Sequence, residues 1–227
     1  MTLDEVLENI KDPHRWVTDP EALIDLLKDV PSLRGMAYGN YAEAMFLVWL
    51  MKHAEVRGIS DISRDDDHKK TKSDRTFKYQ GRVVTVQNKS MQTNSIKAVK
   101  GQPGQFTARI QNDASDARDI ELWDGHVVHT TCYKVSEYDI LAVPLQPFTG
   151  DWDTFAFKRN TDLPRSESDL YTAAERKMLL ATLVPIQWPL DDSWTTDLWS
   201  LYPGEVTPDA PVTIETDDTR ITVTGED

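Results

Sequence analysis

Two neighbouring strand-like stretches carry the residues best suited to chemistry. Lys72-Ser73-Asp74 leads into Arg75–Tyr79, Gln80-Gly81 makes a tight turn, and Val83–Gln87 follows, trailed by Asn88 and Lys89. An acid therefore opens one strand and a polar-x-Lys triplet closes the next. In a hairpin those ends lie side by side, and Gln87 and Lys89 share a face because side chains alternate with a period of two. A carboxylate, an amide and an ammonium group then converge at one edge of a sheet. Each residue also has a plainer reading: Asp74 as a turn residue, Gln87 and Lys89 as the solvent face of an edge strand.

The charge pattern around these strands points to a polyanion. The chain has a net charge of −13, which by itself argues against binding phosphates. Between Arg64 and Arg109, however, eleven basic residues meet four acidic ones, a net +7 that leaves −20 for the remainder. A basic island in an acidic protein is the footprint of a local polyanion site. Lys69, Lys70, Lys72, Arg75, Lys97 and Lys100 are the residues expected to hold nucleic acid.

Several elements must position this edge. The spacing of Leu3, Val6, Leu7 and Ile10 predicts a peripheral helix stopped by Pro13, and Asp19-Pro20-Glu21 caps a second through Leu27. Gly35–Gly39 reads as a junction. A strong helix is expected from Asn40, its N-cap, to His53, with Ala42, Phe46, Trp49 and Leu50 on one face and Glu43 in its first turn. The helix dipole alone would favour an acid there. Further strands are expected at Gly58–Ser63, His126–Lys134, Tyr138–Leu145 (buried) and Trp152–Lys158, while Phe106–Asp119 stays open between loop, helix and strand. Ser168–Leu183 reads as a helix burying Leu170, Ala174, Met178, Leu179 and Leu183. The tail from Thr207 is acidic and Thr-rich, an edge hairpin or disorder. The order implies an α/β fold with a mixed central sheet flanked by helices. The expected organisation is an N-terminal helical region (1–34), a core (35–185) and a partly flexible C-terminal extension (186–227).

Some classes of function drop away. The longest apolar run, Ala44–Met51, is too short to span a bilayer, and the acidic N-terminus lacks a signal-peptide pattern. With Cys132 the only cysteine, no internal disulfide can form, and a cytoplasmic location is expected. His126 and His129 lack partners at zinc-ligand spacing, and neither a phosphate-binding glycine loop nor a Gly-x-Ser-x-Gly elbow is present.

In its order and spacing, Asp74 followed by Gln87-Asn88-Lys89 resembles the PD-(D/E)XK nuclease superfamily, in its Q-x-K variant. Gly39-Asn40-Tyr41-Ala42-Glu43 is similar to that family's first core helix, and Tyr138–Val143 to its following buried strand, so the resemblance covers about Gly35 to Val143. It implies a restriction-endonuclease-like core and hydrolysis of DNA phosphodiesters with Mg²⁺ or Mn²⁺, in a restriction or defence setting. It assigns Asp74 as the central metal ligand, with Glu43, the Gln87 amide oxygen and the Asn88 carbonyl completing the set. Lys89 is implied to orient the attacking water or to stabilise phosphate charge. Glu43, Asp74, Gln87 and Lys89 form the implied catalytic group. Gln87 departs from the commoner acidic ligand and is expected to weaken cation binding. Two other functions compete: a non-catalytic nucleic-acid-binding or assembly subunit on the same fold, and an acidic DNA mimic. A homodimer or a place in a larger complex is left open.

Overall fold

The computed structural model describes residues 19–64, 73–91, 93–123 and 125–202, with the backbone of 212–216 and 219–223. The expected helix over Leu3–Ile10 and the basic residues Lys69, Lys70 and Lys72 lie outside the described residues. Chain contacts divide the protein after Tyr38.

Within Met1–Tyr38, helix α1 spans Pro20–Asp29 and starts at the expected cap: Asp19 accepts hydrogen bonds from the N–H groups of Glu21 and Ala22. Helix α2 spans Pro31–Arg57. It therefore starts nine residues before the expected Asn40 cap, and the Gly35–Gly39 stretch is helical. Pro31 explains the start, because proline is favoured in a helix's first turn, where its missing N–H has no partner to lose. Glu43 consequently lies in the helix interior, and a helix dipole acting on a first turn does not account for it.

In the larger unit, a seven-stranded sheet runs in the order β12-β11-β1-β2-β3-β8-β9. Its members are β1 (Ser60–Arg64), β2 (Arg75–Tyr79), β3 (Arg82–Asn88), β8 (Ile140–Pro144), β9 (Phe155–Arg159), β11 (Val212–Thr216) and β12 (Thr219–Val223). The sheet is mixed: β2 and β3 are antiparallel, β3 and β8 parallel, β1 and β11 parallel. The α/β class with a mixed central sheet holds.

Each face of this sheet buries its own core. On one face Val84, Val86, Ile140 and Ala142 pack with Phe46, Trp49 and Leu50 of α2 and with Trp199. On the other, Leu141 and Val143 pack with Tyr133, Tyr138, Ile110 and Val184. That second face is roofed by a three-stranded sheet, β10-β5-β4, built from β4 (Lys97–Ala98), β5 (Phe106–Gln111) and β10 (Leu183–Trp188). The region left open at Phe106–Asp119 is thus two strands, β5 and the start of a long hairpin of β6 (Asp113–Trp123) and β7 (His126–Cys132).

The long C-terminal helix expected over Ser168–Leu183 is not formed. Only Ala173–Met178 is helical, as α4 (α3 is the turn at Gln146–Thr149), and Thr172 with Glu175 closes a capping box at its start. Leu170 is 87% exposed and Leu183 lies on the outer face of β10. Pairing decides the outcome: the β-branched, Pro-containing run Leu183–Trp188 matches β5 residue for residue, and that ladder overrides the helical spacing.

Candidate active site

The β2–β3 hairpin fixes the register that the candidate residues need. Gln80 and Gly81 both have positive φ, at 50° and 72°, as a tight two-residue turn requires. Arg75 then pairs with Val86 and Tyr79 with Arg82. The N–H of Asp74 donates to the carbonyl of Val86 at 3.0 Å, so the ladder continues one residue past β2. Parallel pairing of β3 with β8 holds the other side, and the N–H of Lys89 reaches the carbonyl of Ala142 at 3.0 Å.

Alternation now separates the side chains. Val84, Val86 and Asn88 share the face covered by α2, while Gln87 and Lys89 take the opposite one. There the Gln87 Nε2 donates to Oδ2 of Asp74 at 2.7 Å, and the N–H of Asn88 donates to the same oxygen at 2.7 Å. The Lys89 ammonium, half-buried, stands 5.6 Å from the ring centroid of Tyr133, a member of the second core. Three of the expected residues therefore come together, with Asn88 contributing its backbone N–H.

The electrostatics of the cluster are uneven. Burial raises the pKa of Asp74 above the ordinary carboxylate range, against the opposing pull of Lys89, the Asn88 N–H, the Gln87 amide and Arg75. The same burial, with the Asp74 charge nearby, raises Tyr133, so its phenol stays neutral beside Lys89. Both hydrogen bonds fall on Oδ2, and none among the described residues is directed to Oδ1. The carboxylate as a whole is deeply set, although residue 74 keeps some exposure.

Asn88 shows a second asymmetry. The residue is 4% exposed, and among the described residues neither the oxygen nor the nitrogen of its side-chain amide has a hydrogen-bond partner. A buried polar group left in that state costs about 1–3 kcal/mol. This signal was invisible in the sequence, where Asn88 counted for its carbonyl alone.

Glu43 approaches from the α2 side. Gly39, Glu43, Phe46 and Leu50 follow one another at helical spacing, and Phe46 and Leu50 are fully buried against the sheet. A methyl group placed on Gly39 would lie 3.9 Å from the Ser90 Oγ, so this stripe borders the end of β3. Glu43 and the Asn88 side chain thus occupy one face of the sheet, and Asp74, Gln87 and Lys89 the other, at the strand's common end. The hydrogen bonds to Asp74 among the described residues come from Gln87 and Asn88, not from Glu43. Of the expected phosphate-binding residues, Arg75 is buried beneath this end, and Lys97 and Lys100 are exposed some distance along the chain.

Among the described residues no group of three or more His, Cys, Asp and Glu gathers at one point. A lone carboxylate with few other oxygens beside it could serve only an ion that keeps most of its own water, as hard divalent cations do.

No family model matches the chain, and no curated protein matches it. Among solved structures it is similar to a bacterial homing endonuclease, at 15% identity and a TM-score of 0.36, over 72% of this chain and 83% of that one.

Proposed function

We propose that this chain is an endonuclease that hydrolyses phosphodiester bonds of DNA with Mg²⁺ or Mn²⁺. The observation that supports it is the Asp74 cluster: a buried carboxylate with one oxygen turned to hydrogen-bond donors, the other unengaged among the described residues, and a lysine on the same face. When bound, a divalent ion would supply charge neutralisation and acidify a water. Asp74 would hold it, with the Asn88 carbonyl beside it as a further oxygen donor; Glu43, on the opposite face of the sheet, is set aside as a ligand. Gln87 and the Asn88 N–H fix the orientation of Asp74 by binding Oδ2. The raised pKa gives the carboxylate a reason to favour a cation, because a positive charge nearby offsets the cost of its burial. Lys89, packed over Tyr133, keeps its ammonium on the substrate side, where it can hold a phosphate oxygen or orient a water.

The test is cleavage. Supercoiled plasmid, linear duplex, single-stranded and branched DNA are incubated with the purified chain and Mg²⁺ or Mn²⁺, with and without chelator. Chelator-sensitive nicking or cutting of at least one form is expected. Complete inertness toward all four would remove the enzyme reading and leave a binding module.

A further inference from the structure

The chain carries 38 acidic residues in 227, yet from Arg75 to Asn112 there is none. That acid-free run includes β4 and β5, and it is rich in Lys, Arg, Gln, Asn, Ser and Thr. Its outward face is defined by register. Lys97 pairs with Thr107, and Thr107 with Gln187, forming one row across β4, β5 and β10; Arg109 follows two residues along β5. All four are exposed, while Ala108, Ile110, Val184 and Ile186 point inward to the core.

The cations of this face are exposed, and no ion pair among the described residues offsets them. Lys28, Lys52, Lys78, Arg118 and Arg176 each pair with an acid. Among the described residues Lys97, Lys100 and Arg109 have no such partner, although the protein is strongly acidic. Lys97, Thr107, Arg109 and Gln187 line one wall of a cleft of about 730 Å³, and Lys158, Asp162 and Asp191 line the other. The two acids there have Lys158 beside them, close enough to act on its titration.

We infer that the outward face of β4-β5-β10 is the surface that docks in the major groove of duplex DNA. This deepens, and rests on, the nuclease reading above. Charge complementarity favours a polyanion, and geometry favours a duplex. The major groove, roughly 12 Å wide, admits a two-stranded antiparallel ribbon, and β5 and β10 form one over six paired residues. Outward residues on a strand recur about every 6.8 Å, close to two base-pair steps of about 3.4 Å each. The side chains match groove chemistry: arginine pairs with guanine, glutamine with adenine, and threonine with either polar edges or the thymine methyl. The roof sheet also joins the candidate site directly, because Met91, two residues past Lys89, bridges to Ile110 of β5.

The experiment uses the full chain with Asp74→Asn, so that DNA is not consumed. Binding to a fluorescent random-sequence duplex is titrated at several KCl concentrations. Adding Lys97→Ala should reduce the steepness of log K against log salt by about 0.9, for one lost phosphate contact. In selection from duplexes with a randomised core, Arg109→Ala with Gln187→Ala should erase preferences of about tenfold or more at the positions those residues read. Unchanged affinity, slope and preference would overturn the proposal, as would tighter binding of single strands or double-stranded RNA. Cleavage by the unsubstituted chain is scored separately. If it cuts DNA while these variants bind normally, the surface is wrong and the nuclease stands; if it cuts nothing while they lose binding, the reverse holds.

Discussion

At the scale of single residues, Asp74 sets the strongest constraint. Its pKa is raised, so the folded protein holds this proton more tightly than the unfolded chain. The sign follows: stability is lost as pH rises from the unfolded carboxylate pKa through the folded one, and the full penalty is present above the folded pKa. Asp74→Asn should remove that penalty while keeping an acceptor for Gln87 and Asn88. The variant is expected to melt higher than the parent at neutral pH, with the difference closing in acid; equal melting temperatures at all pH values would contradict the account. Gln87→Glu should do the opposite. It replaces the donor 2.7 Å from Oδ2 with a second carboxylate, so unfolding without divalent ions should become easier by about 1–3 kcal/mol. Millimolar Mn²⁺ should restore much of the loss. A Gln87→Glu protein that melts identically with and without Mn²⁺ would argue against a cation at this point. The Asp74–Gln87–Lys89 grouping was legible in the sequence because hairpin register and strand alternation are local rules. The unpartnered amide of Asn88 was not, because it depends on what α2 and the sheet leave uncovered.

At the scale of elements, α2 and the β2–β3–β8 strands do the positioning. Phe46 is fully buried, its ring against Phe155, Phe157 and Trp49. Phe46→Ala should destabilise the protein by about 3–5 kcal/mol and reduce any activity in step with the folded fraction, as chemical denaturation and residual rate would show. Stability unchanged within error would mean that α2 does not hold this face. The face of α2 was readable from the spacing of Ala42, Phe46, Trp49 and Leu50. Its start was not, since Gly35 and Gly39 read as punctuation while a preceding Pro31 favours helix initiation. The Ser168–Leu183 segment failed for a different reason. Leu170, Leu179 and Leu183 keep a helical spacing, but ladder pairing of Leu183–Trp188 with β5 is long-range and leaves no mark on the segment itself. Burial of most of Tyr138–Leu145 was clear from its nearly continuous apolar run; every residue of β8 is buried, and the polar Asp139 is exposed.

At the scale of the whole molecule, charge is partitioned. The acid-free run sits on the hairpin, the candidate site and the roof sheet, while the excess negative charge lies elsewhere. Self-repulsion in a chain of net charge −13 should be relieved by salt, so KCl is expected to raise the melting temperature even as it weakens DNA binding. A melting temperature that falls with salt would show that attractive pairs outweigh the repulsion. Among the described residues no helix is long and apolar enough to cross a membrane. The measurement that bears most directly on the central claim is the DNA cleavage rate of the intact chain beside Asp74→Ala and Lys89→Ala, under saturating Mg²⁺ or Mn²⁺ and with folding verified. Asp74→Ala should lose activity together with cation affinity. Lys89→Ala should keep the cation yet slow cleavage by roughly a hundredfold or more, the value of about 3 kcal/mol at the transition state. Cleavage that persists undiminished in both variants would place the chemistry elsewhere in the molecule and contradict the account.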